Sequence, residues 1–517
     1  MRRVAIGALA AGSVLLVAGV GAWQLLPSDG NKKDAINVGT TDVVSNLDPA
    51  GAYDAGSWAL YSNVYQSLLT IKGGADQPVP DAASSCKFIG TKLTTYQCEL
   101  RPGLTFSNGR EVTAEDVKFS FDRIKAIASD QGPLPLLNTL KSVTAQDRTI
   151  TFSLSARDAT FPFKIATGAG SIVDREKYPA KSLRTGGAVD GSGPYVLKAS
   201  TKGQIELTPN ESYKGDAKQP PVPVTIKYYE DSDELNGAWE EREVDVAHRE
   251  LPPKVLAGLN PGMKDTRYHE SGGSEIRSMV FNVRKKSAFE DREVRQAVAA
   301  VIDRNKLAGL TFEGTVQPLY SLIPKGIGGH TTPFYDTYPQ PSTATAKALL
   351  REAGVETPVS FTLGINKRGA NVAEADEIKQ QLEDTGLFKV TVDVQPDWTA
   401  FQKKYAAGGF DAYTIGWIAD FPDPDNFISP LVGADSSMNN GFSDPAVQQL
   451  ITRTQSYSDR GMAANDFREL QRLIAQKVPM MPIWQKKDYV ISRDAVTGAQ
   501  NLSDGTGVWR LWDLNWL

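Results

Sequence analysis

Cysteine is nearly absent from this chain, with two in 517 residues, Cys86 and Cys98. That is too few for a structural zinc site, which wants four ligands. Histidine is scarce as well: His248, His269 and His330 stand apart, so direct metal coordination is not expected. The chain has no Gly-x-Ser-x-Gly elbow, no phosphate-cradling glycine loop and no His-Glu-x-x-His helix. No acid and base can be nominated by spacing, so the chain is not read as an enzyme and no cofactor is called for. Low-complexity runs and short repeats are missing, which argues against a solenoid. No block of one charge exists either. Lys and Arg number 56 against 61 Asp and Glu, a net charge of -5 that speaks against a nucleic-acid partner.

What is present is a globular composition, 41% hydrophobic and 23% charged, long enough for two or three domains. Arg2-Arg3 precede an uncharged apolar run from Val4 to Leu26, the pattern of an export signal. At ~20 residues the run could also stay as an uncleaved anchor. No cysteine follows it to carry a lipid. Residues 1–34 are therefore read as a signal or anchor plus tether, and the chain as exported, secreted or tethered to the outer face of the membrane. In an exported chain a Cys86–Cys98 disulfide is the default, with two buried thiols the alternative.

Apolar alternation predicts strands at 35–40, 222–229, 277–283, 359–365, 390–394 and 410–416. Hairpins are expected over 143–154 and 193–207. Helices are expected within 53–69, after the capping box Thr113-Ala114-Glu115-Asp116, from about Asp291, over 345–353, around Ile378, and over 467–474. The first half is hairpin-rich and the second alternates β and α, a pattern of α/β lobes carrying antiparallel additions.

The stretch Gly416-Trp417-Ile418-Ala419-Asp420-Phe421-Pro422-Asp423-Pro424-Asp425-Asn426-Phe427 ends one of these strands. Pro422 and Pro424 remove donors and fix φ, so the strand stops there and Asp420 sits at its C-terminal end. Ligands of α/β lobes collect at such ends. A carboxylate partly buried there needs a cation, from the protein or from a ligand. Asp423 and Asp425 read as turn chemistry.

Several stretches, in order, resemble the extracytoplasmic solute-binding proteins of peptide-type ABC importers, the oligopeptide- and dipeptide-binding family 5. They are Leu47-Asp48-Pro49 with Ala52-Tyr53-Asp54, Leu100 to Gly109, Ala114 to Phe121, Gly193-Pro194-Tyr195 with Pro209 to Gly215, Val294 to Ala297 with Ile302-Asp303-Arg304, Ala348 to Gly354, and Gly416 to Phe427. The resemblance implies two α/β lobes around a central cleft, with an additional inserted α+β domain. Carried over, lobe I takes 35–68, 190–276 and 481–517, the insert 69–189, and lobe II 277–480.

The resemblance further implies that Asp420 holds the α-ammonium of a peptide, the alternative being an internal salt bridge or turn cap. Main-chain groups around Gly416 and Val44 would pair with ligand backbone, beside Trp417. Trp398 would wall a side pocket, or is a core aromatic. Tyr405 and Thr414 stand where some relatives carry basic residues. Arg368 is therefore the candidate for the ligand's carboxylate, or else a solvated loop arginine. The implied role is capture of a short peptide by a monomer and its delivery to an ABC permease. A nickel complex, an opine or an oligosaccharide as solute, or a ligand-sensing receptor, are the alternatives.

Overall fold

A computed structural model describes residues 34–434 and 436–517; the apolar run 4–26 lies outside the described residues. In chain order the strands of the two large sheets are β1 (Ile36–Thr40), β2 (Ala83–Phe88), β3 (Thr95–Leu100), β4 (Leu140–Gln146), β5 (Thr149–Leu154), β6 (Tyr195–Ser200), β7 (Gln204–Pro209) and β8 (Val224–Tyr228). They continue with β9 (Val246–His248), β10 (Arg267–Phe281), β11 (Val316–Pro318), β12 (Val359–Asn366), β13 (Phe388–Gln395), β14 (Ala412–Trp417) and β15 (Met480–Ser492).

One sheet runs β13-β12-β14-β10-β15-β9-β1-β8-β7-β6, with β11 also on β15. Parallel pairing is confined to two places, β8-β1-β9 and β13-β12-β14. β1 and β9 are buried on nearly every residue, as expected for parallel strands covered on both faces, while the edge strand β13 alternates buried and exposed positions. Each place has its own core. Phe361, Leu363 and Ile365 of β12 pack with Ile415 of β14 and Val298 of the helix Arg292–Val301. Ile36 and Val38 of β1 pack with Val246 of β9 and with Trp58 of helix α1 (Ala55–Val64). The result is a two-lobed α/β molecule.

The second sheet, β2-β3-β5-β4, is antiparallel, and its central strands alternate inward and outward. Cys86 and Cys98 face each other across β2 and β3 and are joined in a disulfide. Helix α2 (Ala114–Ile127) begins as the capping box requires: Oδ2 of Asp116 accepts from the Thr113 amide at 2.9 Å. Among the described residues no helix is long and apolar enough to cross a membrane.

Two strands depart from the expected pattern. β10 starts at Arg267, ten residues before the apolar run at 277, and β15 spans Met480–Ser492 where no strand is apparent from periodicity. Pro482 and the polar run Gln485 to Asp488 interrupt the alternation. The pairing accommodates the proline by a register shift between Arg277 and Ser278, which face Trp484 and Pro482. β15 contributes to both cores: Met481 and Ile483 belong to the β12 core, Val490 to the β1 core.

Candidate functional site

The site is built on the end of β14. Its main chain pairs with β10 along 412–417, but with β12 only at Ala412 and Tyr413. The outer edge of Thr414 to Trp417 therefore has no strand partner among the described residues. A Cβ placed on Gly416 would come no nearer than 3.5 Å to Oε1 of Glu275, an ordinary contact. The fold does not require glycine there; close approach of another backbone would.

Beyond Trp417 the chain is held by Asn426, at the end of the proline-stiffened loop. Its Oδ1 accepts from the Asp420 amide at 2.9 Å and from the Trp417 indole at 3.3 Å, while its Nδ2 donates to Asp420 Oδ2 at 2.8 Å. A second donor reaches the same oxygen from the other lobe: Tyr53 Oη, at 2.7 Å. Tyr53 is fixed by stacking on Trp58, ring centroids 5.0 Å apart. Asp420 is half-buried and has no cationic partner among the described residues. Burial pushes its carboxyl up to about 6, against the two hydrogen bonds, which favour the charged form. Such a carboxylate is poised for a cation and lacks one.

The neighbouring aspartates are otherwise occupied. Asp423 pairs with both ends of the Arg460 fork, at 2.7 and 2.8 Å, and caps the turn through the Asp425 amide. Asp425 is buried and accepts from Gln455 at 3.2 Å. A cavity of about 110 Å³ adjoins the loop, with Tyr53, Lys164, Phe421, Asp425 and Asn426 in its wall.

Other expected site residues lie apart from this group. Trp398 opens helix α4 (Trp398–Ala406; α3 is Asn371–Glu383), is 46% exposed and leans on Phe401. It is no core aromatic. Val44 lies just past β1, partly buried against that core. Arg368, in the turn between β12 and α3, is not a solvated loop arginine. Its Nη2 donates to the main-chain oxygen of Thr41, in the other lobe, and its Nε lies 3.6 Å from Glu250.

Tyr53 and Asn426 were both visible in the sequence, one in Ala52-Tyr53-Asp54 and one in the loop itself, yet nothing local assigns them to Asp420. A third unforeseen feature is the pair Arg249–Asp42, at the ends of β9 and β1. Beside it His248 and Asp488 pair at 2.9 Å. Among the described residues no group of three His, Cys, Asp or Glu side chains is arranged to hold a metal.

A family model described as bacterial extracellular solute-binding proteins, family 5 (middle), matches residues 77–439. The chain is 25% identical over 471 residues to the di/tripeptide-binding protein 1 of Pseudomonas aeruginosa, covering 85% of this chain and 86% of that one. In three dimensions it is similar to the Helicobacter pylori periplasmic binding protein DppA in complex with the peptide STSA. That match has a TM-score of 0.81 at 22% identity, over 93% of this chain and 98% of that one. AgaA of A. tumefaciens R10, in complex with agropinic acid, is similar to the same degree, with a TM-score of 0.81 at 21% identity over 94% and 99%.

Proposed function

The chain belongs to the bacterial extracellular solute-binding proteins of family 5, and from that premise we propose that it captures short peptides for an ABC importer. The observation that carries this reading is Asp420: a half-buried carboxylate at a strand end, oriented by Tyr53 and Asn426, with no cation of its own among the described residues. An α-ammonium supplies that cation through a charge-assisted bond. The unpaired edge of Thr414 to Trp417 takes the ligand backbone, which gives affinity independent of side-chain identity. Val44 and Trp398 flank the cleft, and Arg368 faces the ligand's carboxylate end. Capture closes the lobes around the solute, and the closed monomer docks on a permease at the outer face of the membrane.

Thermal unfolding against a ligand panel tests this. A solute that binds only the folded chain raises the midpoint by mass action. Di- and tripeptides are expected to do so, and the same peptides N-acetylated are not. The likeness to AgaA puts an opine in the panel, beside oligosaccharides and nickel with small chelators. Stabilisation by one of these alone would keep the binding-protein role and end the peptide assignment.

A further inference from the structure

Phe421 stands next to Asp420 in the chain, yet its side chain belongs to a different part of the molecule. Asp420 is the carboxylate of the candidate site, while the Phe421 ring is fully buried in the β1 core. Among the described residues it is the one side chain between β10 and β15 that joins that core. There it meets Phe163, ring centroids 5.5 Å apart. Phe163 lies on the short helix Phe161–Lys164 that follows β5, and Phe161 carries the contact on to Phe152 and Tyr96 of the second sheet. Pro422 confines the residue before it to extended backbone. Successive side chains of an extended chain point to opposite sides, which sends Asp420 and Phe421 to different partners.

The junction around the ring is narrow. The amide of Ala159, also after β5, donates to the main-chain oxygen of Gln455 at 2.8 Å. The Gln455 side chain donates in turn to Asp425, on the same loop as Asp420. Between these contacts lies the cavity of about 110 Å³ that Phe421 and Lys164 help to wall. The two faces therefore meet at separate points, unlike the continuous packing of a core.

We propose that Phe421 is a positioning residue for capture: its ring seats the Asp420 loop on Phe163 as the lobes close, so that filling the site and closing the molecule occur together. This rests on the capture-and-closure reading above and deepens it. It gives residues 158–164, behind the second sheet, a role as the receiving face for the closing lobe. Phe421 acts on affinity without touching the solute, because a ligand that binds the closed state is held only as tightly as that state is populated.

The test compares the full native chain with Phe421→Ala, by stopped-flow binding of trialanine and by dipolar spectroscopy between spin labels at Ile89→Cys and Met462→Cys. Both native side chains are exposed, one just after β2 and the other on the turn Arg460–Ala463. The alanine variant is expected to bind ~10- to 100-fold more weakly, the range for losing the burial of one large apolar side chain. The loss should fall on dissociation with association unchanged, and the liganded label distances should shift toward the ligand-free ones. Phe421→Val, a smaller cut, covers the case in which the alanine variant fails to fold and should lose ~3- to 10-fold in the same way. Native affinity in the variants would overturn the proposal. So would a loss carried by slower association, or one with the liganded distances unchanged, either of which marks ordinary packing of the loop. If the native chain does not bind trialanine, the peptide assignment falls on its own. The ligand-free distances then decide: longer ones in Phe421→Ala support the seat, and equal ones end it.

Discussion

The Tyr53 hydroxyl donates to Oδ2 of Asp420 across 2.7 Å, joining two residues 367 positions apart. One comes from the strand-end loop after β14, the other from the segment leading into α1, so a single bond ties the two lobes at the candidate ammonium site. It also favours the charged form of the carboxylate, against the burial that raises its pKa.

Binding of a free-amine peptide is therefore expected to depend on pH. An ammonium needs the ionised carboxylate, and Asp420 carries its proton up to about 6. Affinity should peak near pH 7, fall about tenfold per pH unit below 6, and fall again above about 8 as the ligand's α-amine loses its proton. Tyr53→Phe removes a bond to the charged form and should move the break to higher pH. Calorimetry across pH on both proteins checks it; an unchanged break in the variant would remove Tyr53 from this role.

Asp420→Asn should abolish ammonium binding yet stabilise the ligand-free protein at neutral pH. The group titrates near 6 folded and at an ordinary 3.8 unfolded, so between those values the folded state holds more protons and stability falls as pH rises. Allowing for partial exposure, the variant should gain about 1–2 kcal/mol above pH 7 and nothing below pH 4. Urea unfolding at pH 4 and pH 8 reads the difference.

Arg123→Met should be among the most damaging single changes. Arg123 meets Asp48 through both fork nitrogens, at 2.6 and 2.8 Å, and both side chains are 1% exposed. Removing the cation strands a buried carboxylate, a loss of about 3–5 kcal/mol. Adding Asp48→Asn should recover part of it, which denaturant melts of the single and double variants would show.

Reducing the Cys86–Cys98 disulfide, or replacing both residues by serine, should lower stability by about 2–3 kcal/mol, as for closure of a short loop. The two positions lie 12 apart and already oppose each other across β2 and β3. The effect should thus appear as faster amide exchange in that sheet, with peptide affinity unchanged.

How much of this was legible in the sequence follows from the range of the forces involved. Local rules suffice for β14, which ends at Trp417 ahead of the prolines, for the cap at Thr113, and for the hairpin turning at Asp147. β15 is hidden because its polar run Gln485 to Asp488 looks like a loop until β10 and β11 pair with it. Asp420 is marked as a carboxylate at a strand end, but not its donors: Tyr53 is distant in the chain, and Asn426 is one polar residue among several. Arg249 carries no local signal at all. Its pairing with Asp42 is visible only in three dimensions.

β15 has one more consequence. It pairs with β10, β9 and β11, and its side chains enter both lobes, yet it begins only at Met480. Each half of the main sheet can pair within itself as it is made, but β10 and β9 cannot be joined until β15, which lies between them, has been synthesised. The link between the lobes is therefore the last part of the main sheet to become available, after the parallel strands on either side of it.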